Sequence, residues 1–169
     1  MCVMTNDAPP STRSQTKKLV WDTSALLNIK EPDRSGYSPA GSLFKDFRDG
    51  WISGPYLNIF PAIAFFELQA AISRKHRDSA KILREYYIMG NNELIYDIDT
   101  NLIRLSADLV SKPGFDSLHG ADLIFACIAY IEKAYLITLD NHFNHVEKDI
   151  KIVNLNGSKM SAKYRQIFD

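Results

Sequence analysis

Short apolar runs alternate with longer amphipathic ones along most of this chain. Leu19-Val20-Trp21 is the first run, and it stops at Asp22. So short and fully apolar a block reads as a buried strand. Thr23 to Ile29 reads as a short helix, with Thr23 or Ser24 as its cap. Glu31 to Ser42 holds two prolines and two glycines and reads as a loop. Leu43 to Trp51 reads as a helix broken by Gly50, and Leu57 to Phe60 as a second strand. Pro61 suits the first turn of a helix, where its missing N–H is not needed, and that helix runs to about Lys75. A further helix is expected over Asp78–Met89. The turn Gly90-Asn91-Asn92 leads into a third strand, Glu93 to Ile98. Asp99 or Thr100 caps a helix to about Lys112, stopped by Pro113-Gly114. A helix from about Gly120 to Lys133, a fourth strand from Tyr135 to Leu139, a short helix around Asn144 and a fifth strand from Ile150 to Leu155 complete the pattern.

Strands that alternate with helices in this way predict a parallel sheet covered on both faces. The fold expected is a three-layer α/β/α sandwich around a central, mostly parallel five-stranded sheet. Residues 1–17, with Pro9-Pro10 and no periodic apolar signal, read as a flexible N-terminal tail. Residues 18–156 form the domain, and 157–169 are a polar C-terminal tail with room for one helical turn.

Composition changes this picture little. A chain of 169 residues suits one core. Two cysteines, Cys2 and Cys127, argue against a disulfide framework and fit a reducing, cytoplasmic setting. The N-terminus has no continuous apolar core of a signal peptide, and the longest apolar stretch, Leu123 to Ile131, is too short to span a bilayer. Lys and Arg number 20, as do Asp and Glu. Zero net charge gives no general pull toward polyanions. Setting aside four acids singled out below leaves 16 acids against 20 bases, a residual of about +4 that permits a polyanionic partner without requiring one.

Ligands of open α/β sheets bind beyond the carboxyl ends of the strands, so acids at those ends carry the chemistry. Asp22 ends the first strand and Asp140 the fourth. Thr138, two residues before Asp140, points to the same side. Asp122 lies in the first turn of a helix whose next nine residues are all apolar, and Glu67 lies inside Ala62-Ile63-Ala64-Phe65-Phe66-Glu67-Leu68. An acid in such a setting calls for a partner, because burying a carboxylate is costly. A hard divalent cation is one: Mg²⁺ and Mn²⁺ prefer oxygen ligands and activate phosphodiester chemistry. Each acid also has an ordinary reading. Asp22 and Asp140 suit turns or caps, Asp122 a helix dipole, and Glu67 an ion pair.

Taken together and in order, these segments resemble the PIN-domain nucleases, and within them the small VapC-type toxins. Leu19-Val20-Trp21-Asp22-Thr23-Ser24-Ala25-Leu26 resembles the opening strand with its first acid. Phe66-Glu67-Leu68 resembles the second acid in its helix, and Gly120-Ala121-Asp122-Leu123-Ile124-Phe125-Ala126 the third. Leu136-Ile137-Thr138-Leu139-Asp140-Asn141-His142-Phe143 resembles the fourth-strand hydroxyl and acid with a following aromatic. The resemblance spans roughly Lys18 to Leu155. It implies a Mg²⁺- or Mn²⁺-dependent endoribonuclease, with Asp22, Glu67 and Asp122 as the main metal site and Asp140 assisting. Thr138, and less directly Thr23 or Ser24, would orient the acids. It also implies a homodimer and, for a toxin, an antitoxin protein as partner. Trp21 is bulkier than usual before the first acid, and the stretch Glu31 to Ser42 is long.

Other constellations point less sharply. His142 and His145 stand three apart and, with His119, raise zinc, but no Cys/His set has structural-zinc spacing. Arg74, Lys75, His76 and Arg77, with Lys81 and Arg84, form the densest basic segment. They suit RNA phosphates or simply a solvated helix end, and Lys159, Lys163 and Arg165 are similar. Tyr86, Tyr87 and Tyr96 suit base stacking or the core. No phosphate-binding glycine loop and no Gly-x-Ser-x-Gly elbow occurs. A haloacid-dehalogenase-like phosphatase would need a second Asp where Ser24 stands. A non-catalytic PIN-like module that binds RNA or protein, and a metal-dependent phosphatase, are the alternatives.

Overall fold

The computed structural model describes residues 15–30, 37–75, 90–156 and 167–168. The helix expected over Asp78–Met89 lies outside them, as do Cys2, His76, Arg77, Lys81, Arg84, Tyr86, Tyr87, Lys159, Lys163 and Arg165.

Five strands, β1 (Lys17–Trp21), β2 (Tyr56–Pro61), β3 (Glu93–Tyr96), β4 (Tyr135–Thr138) and β5 (Lys151–Asn154), form one sheet in the order β3-β2-β1-β4-β5. Every pairing is parallel. Leu19, Val20 and Trp21 on the central strand are fully buried, as a strand covered on both faces should be. The helices are α1 (Thr23–Lys30), α2 (Pro39–Arg48), α3 (Ala62–Lys75), α4 (Thr100–Leu109) and α5 (Ala121–Glu132). α1 packs against both α2 and α3, whereas α5 lies against β1 and β4 and carries α4. This is the expected three-layer arrangement. None of the described helices is long and apolar enough to cross a membrane.

Chain direction fixes where a site can form. From β1 the chain works outward through β2 to β3, then returns to lay β4 and β5 on the other side. The order therefore reverses between β1 and β4, and a crevice opens beyond the carboxyl ends of strands at such a switch point.

Some boundaries differ from expectation. α2 begins at Pro39 rather than Leu43. Ser38 caps it, accepting from the Gly41 N–H at 2.8 Å, and Pro39 occupies the first turn, where proline favours a helix instead of breaking it. Pro61 closes β2, opposite Tyr96, and α3 starts one residue later. β3 is an edge strand of four residues with Leu94 and Ile95 exposed. Asp99, not Thr100, caps α4, which ends at Leu109. The short helix around Asn144 is a 3₁₀ turn over Asn141–Val146. In the polar ending, Phe168 is buried against Phe47 and Tyr135, with ring centroids 5.0 and 4.9 Å apart.

Gly114 holds two loops together. Its φ is +95°, and a Cβ there would lie 2.2 Å from the His145 carbonyl oxygen. Only glycine lets the chain ahead of α5 touch the 3₁₀ turn so closely.

Candidate functional site

Asp22 sits where β1 ends, at the switch point. Its backbone N–H donates to the Ile137 carbonyl at 3.1 Å, extending the pairing with β4 by one residue. Asp22 itself caps α1: Oδ1 accepts from the Ala25 N–H at 2.7 Å, and its carbonyl accepts from Leu26. Neither Thr23 nor Ser24 is the cap, so both hydroxyls are free for other work. Ser24 Oγ donates to the Asp22 carboxylate, 2.8 and 3.0 Å from its two oxygens, and accepts from the Leu139 N–H at 3.0 Å. Thr138 Oγ1, fully buried at the end of β4, donates to Asp22 Oδ2 at 2.6 Å and accepts from the Asp140 N–H at 2.8 Å.

These bonds do not fully offset burial. Asp22 is 2% exposed, and loss of hydration pushes its pKa from an ordinary 3.8 up to about 6. Hydrogen bonds from Thr138, Ala25 and Ser24 pull it back, while the charge of Asp122 adds to the rise.

Asp122, in the first turn of α5, is half-buried, and its pKa is raised chiefly by burial and then by the negative charges of Asp140 and Glu67. His142 and His119 act on it in the opposite sense. Asp140 caps the 3₁₀ turn, Oδ1 accepting from the His142 N–H at 2.9 Å. Asn154 on β5 anchors that turn by donating to the Asp140 carbonyl at 3.1 Å and to Asn141 Oδ1 at 2.9 Å. The four acids thus come from β1, α3, α5 and the end of β4 toward one end of the sheet, Asp140 and Glu67 acting on Asp122 and Asp122 on Asp22, while Asp22 and Glu67 stand outside the close donor group that Asp122 and Asp140 join.

Glu67 corrects the sequence reading. It is exposed, not buried in an apolar helix. The buried face of α3 is Ala64, Phe65, Leu68 and Ile72, and the run that suggested burial includes Phe66, itself 68% exposed. The Glu67 carboxylate accepts a hydrogen bond from the Thr23 hydroxyl, so its partner is the residue after Asp22.

His142 is the residue that sequence reasoning undervalued. Donor atoms of Asp122, Asp140 and His142 all lie within 4.8 Å of one another. Asp140-Asn141-His142 carried the signal, since an acid that caps a tight turn brings the residue two places on to its own side. The zinc grouping is not assembled: His145 lies on the same turn with its carbonyl against Gly114 and outside this trio. Arg74 and Lys75 lie in the last turn of α3, about 10 Å along the helix from Glu67 at 1.5 Å per residue. Tyr96 is half-buried and donates to Glu132 at 3.2 Å, which suits packing rather than base stacking.

The donor set fits a hard divalent ion. It is mainly carboxylate oxygen, two of its members are raised in pKa chiefly by burial and then by neighbouring negative charge, and hydroxyls hold the ends of Asp22 and Glu67 in place.

Comparison with known proteins bears on this arrangement. A family model described as PIN domain matches residues 19–149. No curated protein matches the sequence. Among solved structures, VapBC2 from Rickettsia felis, bound to a DNA fragment from its promoter, superposes with a TM-score of 0.60 at 16% identity, over 81% of this chain and 98% of that one. FitAcB from Neisseria gonorrhoeae superposes with a TM-score of 0.58 at 15% identity, over 80% of this chain and 96% of that one. At these identities the likeness is one of fold.

Proposed function

The chain belongs to the PIN-domain family, and from that premise we propose that it is a divalent-metal-dependent endoribonuclease, the toxin of a toxin–antitoxin pair. The observation that carries this reading is the buried Asp22 carboxylate, held by Thr138, Ser24 and Ala25 and facing an Asp122 that shares its field with Asp140 and Glu67. Burying an acid so that its proton is held to about pH 6 costs stability near neutral pH, and such perturbed groups cluster at functional sites.

Asp22, Glu67 and Asp122 would hold Mg²⁺ or Mn²⁺, with Asp140 in support. When bound, the ion supplies Lewis acidity toward a phosphate oxygen and a lowered pKa for a water. The chain's own groups do the positioning. Thr138 and Ser24 fix both oxygens of Asp22, so the carboxylate presents one orientation. Thr23 holds Glu67 in the same manner at the exposed rim. Asp140 is set by its own N–H on Thr138 and by the cap it gives the 3₁₀ turn. Such preorganisation is what lets a polar site act on a transition state without reorganising first. The open rim at Glu67 suits a polymer laid across the strand ends. The protein is expected to work in the cytoplasm as a homodimer held in check by an antitoxin protein.

The test is cleavage of labelled structured and single-stranded RNAs by wild type and Asp22→Asn, with Mn²⁺, Mg²⁺ or EDTA. Metal-dependent cuts made by the wild type alone support the reading. Equal inertness of both proteins on every RNA would sink it and move the non-catalytic binding module and the phosphatase ahead.

A further inference from the structure

The 3₁₀ turn that carries Asp140 also carries a nitrogen donor, and the turn is built to aim it. Phe143, the next residue, is fully buried and plugs the turn into the core. The His142 N–H is tied to Asp140, and Asn154 ties the start of the turn to β5. His142 therefore leaves a fixed backbone, although its ring is 75% exposed.

The ring points back toward the acids, within ion-pair distance of Asp140. Its Nδ1 lies 3.9 Å from Asp140 Oδ2, too far for a hydrogen bond. Yet a ring nitrogen lies within 4.8 Å of carboxylate oxygens from both Asp122 and Asp140, which come from different elements. The spacing suits one shared ion. Opposite ligands of an octahedral ion at about 2.1 Å stand roughly 4.2 Å apart, and neighbouring ones about 3 Å.

We propose that His142 supplies a ring nitrogen to the metal held by Asp122 and Asp140, and that this biases the centre toward Mn²⁺ over Mg²⁺. The proposal rests on the metal-dependent reading above. Mg²⁺ takes oxygen ligands almost exclusively, whereas affinity for nitrogen rises along the first-row series from Mn²⁺ onward. One imidazole in a carboxylate site thus adds little for Mg²⁺ and more for Mn²⁺.

Pulsed electron paramagnetic resonance of Mn²⁺ bound to the full chain tests this directly, because a coordinated imidazole imprints nitrogen hyperfine coupling on the ion. The coupling is expected in the wild type, in His119→Gln and in His145→Gln, and it is expected to vanish in His142→Gln. All three positions are exposed, so the variants should fold. Calorimetry should show Mn²⁺ affinity falling at least about tenfold in His142→Gln, the lower end of what losing even an outer partner of a ligand costs. Mg²⁺ affinity should change by less than about threefold. Mn²⁺ that binds the wild type without nitrogen coupling, or coupling that survives in His142→Gln, overturns this assignment and leaves the metal centre standing. Failure of the wild type to bind Mn²⁺ at all overturns both.

Discussion

Consider Asp22→Asn in metal-free protein across a range of pH. In the fold this carboxyl titrates near 6, against about 3.8 in an unfolded chain. Between those values the folded chain keeps a proton that the unfolded chain has released. Stability from this group is therefore fully present below about pH 3.8 and is lost as pH rises through about 6. At 1.36 kcal/mol per unit, a gap of about two units amounts to about 3 kcal/mol, and with Asp22 2% exposed solvent does little to reduce it. Asn has the same shape and no charge. Its oxygen still accepts from Ala25 and Ser24, but its NH₂ faces Thr138 Oγ1, which already accepts from the Asp140 N–H. That mismatch costs about 1 kcal/mol at every pH. Urea denaturation in EDTA should therefore show the wild type losing about 3 kcal/mol more than Asp22→Asn between about pH 4 and pH 7.5. At the upper end the variant should be the more stable by about 2 kcal/mol. Carboxylates that do not interact with Asp22 cancel in the difference. Adding Mn²⁺ at a hundred times its dissociation constant should return about 2.7 kcal/mol to the wild type and less to the variant. A difference between the two proteins that stays flat over this pH range would refute the reasoning.

Two further perturbations probe the supports of the site. Thr138→Val keeps the volume of a fully buried side chain but removes the donor to Asp22 and leaves the Asp140 N–H unpaired. Denaturation should show a loss of roughly 2–3 kcal/mol, with the acid midpoint of Asp22 moved higher because its strongest lowering bond is gone; an unchanged midpoint would count against the hydrogen bond. Gly114→Ala forces a side chain into the left-handed region and against the His145 carbonyl oxygen. The melting curve should shift to lower stability by more than the about 1–2 kcal/mol of the backbone strain alone, and a neutral result would mean the two loops are not in contact.

Much of the site was legible because strand ends and helix starts are local events. Asp22 and Asp140 followed from apolar runs that stop at an acid, Thr138 from the two-residue period of a strand, and Asp122 from the first turn of an apolar helix. The ordinary readings of these acids also hold, since Asp22 and Asp140 are caps. A capping acid can also face a shared site, and burial plus shared charge set these acids apart. Glu67 misled because an apolar run does not say which face is covered, and α3 leaves Phe66 outside. His142 was passed over because spacing alone groups it with His145. In a 3₁₀ turn such residues eclipse, but of the acids near His142 one, Asp140, caps the turn two residues earlier and the other, Asp122, comes from another segment. Phe168 likewise needed the folded chain to reveal what it packs on.

The hydrogen bond between Thr138 and Asp22 joins residues 116 positions apart. A ribosome releases the first acid early, and that acid waits for nearly the whole domain. Until β4 emerges and docks beside β1, Asp22 has neither the Thr138 hydroxyl nor the Asp140 carboxylate near it. Domains fold as units during synthesis, so a growing chain carries no assembled site. Fragments that stop short of β4 should be inert, and the first moment at which the protein could act is also the moment at which a complete surface exists for a partner to grip.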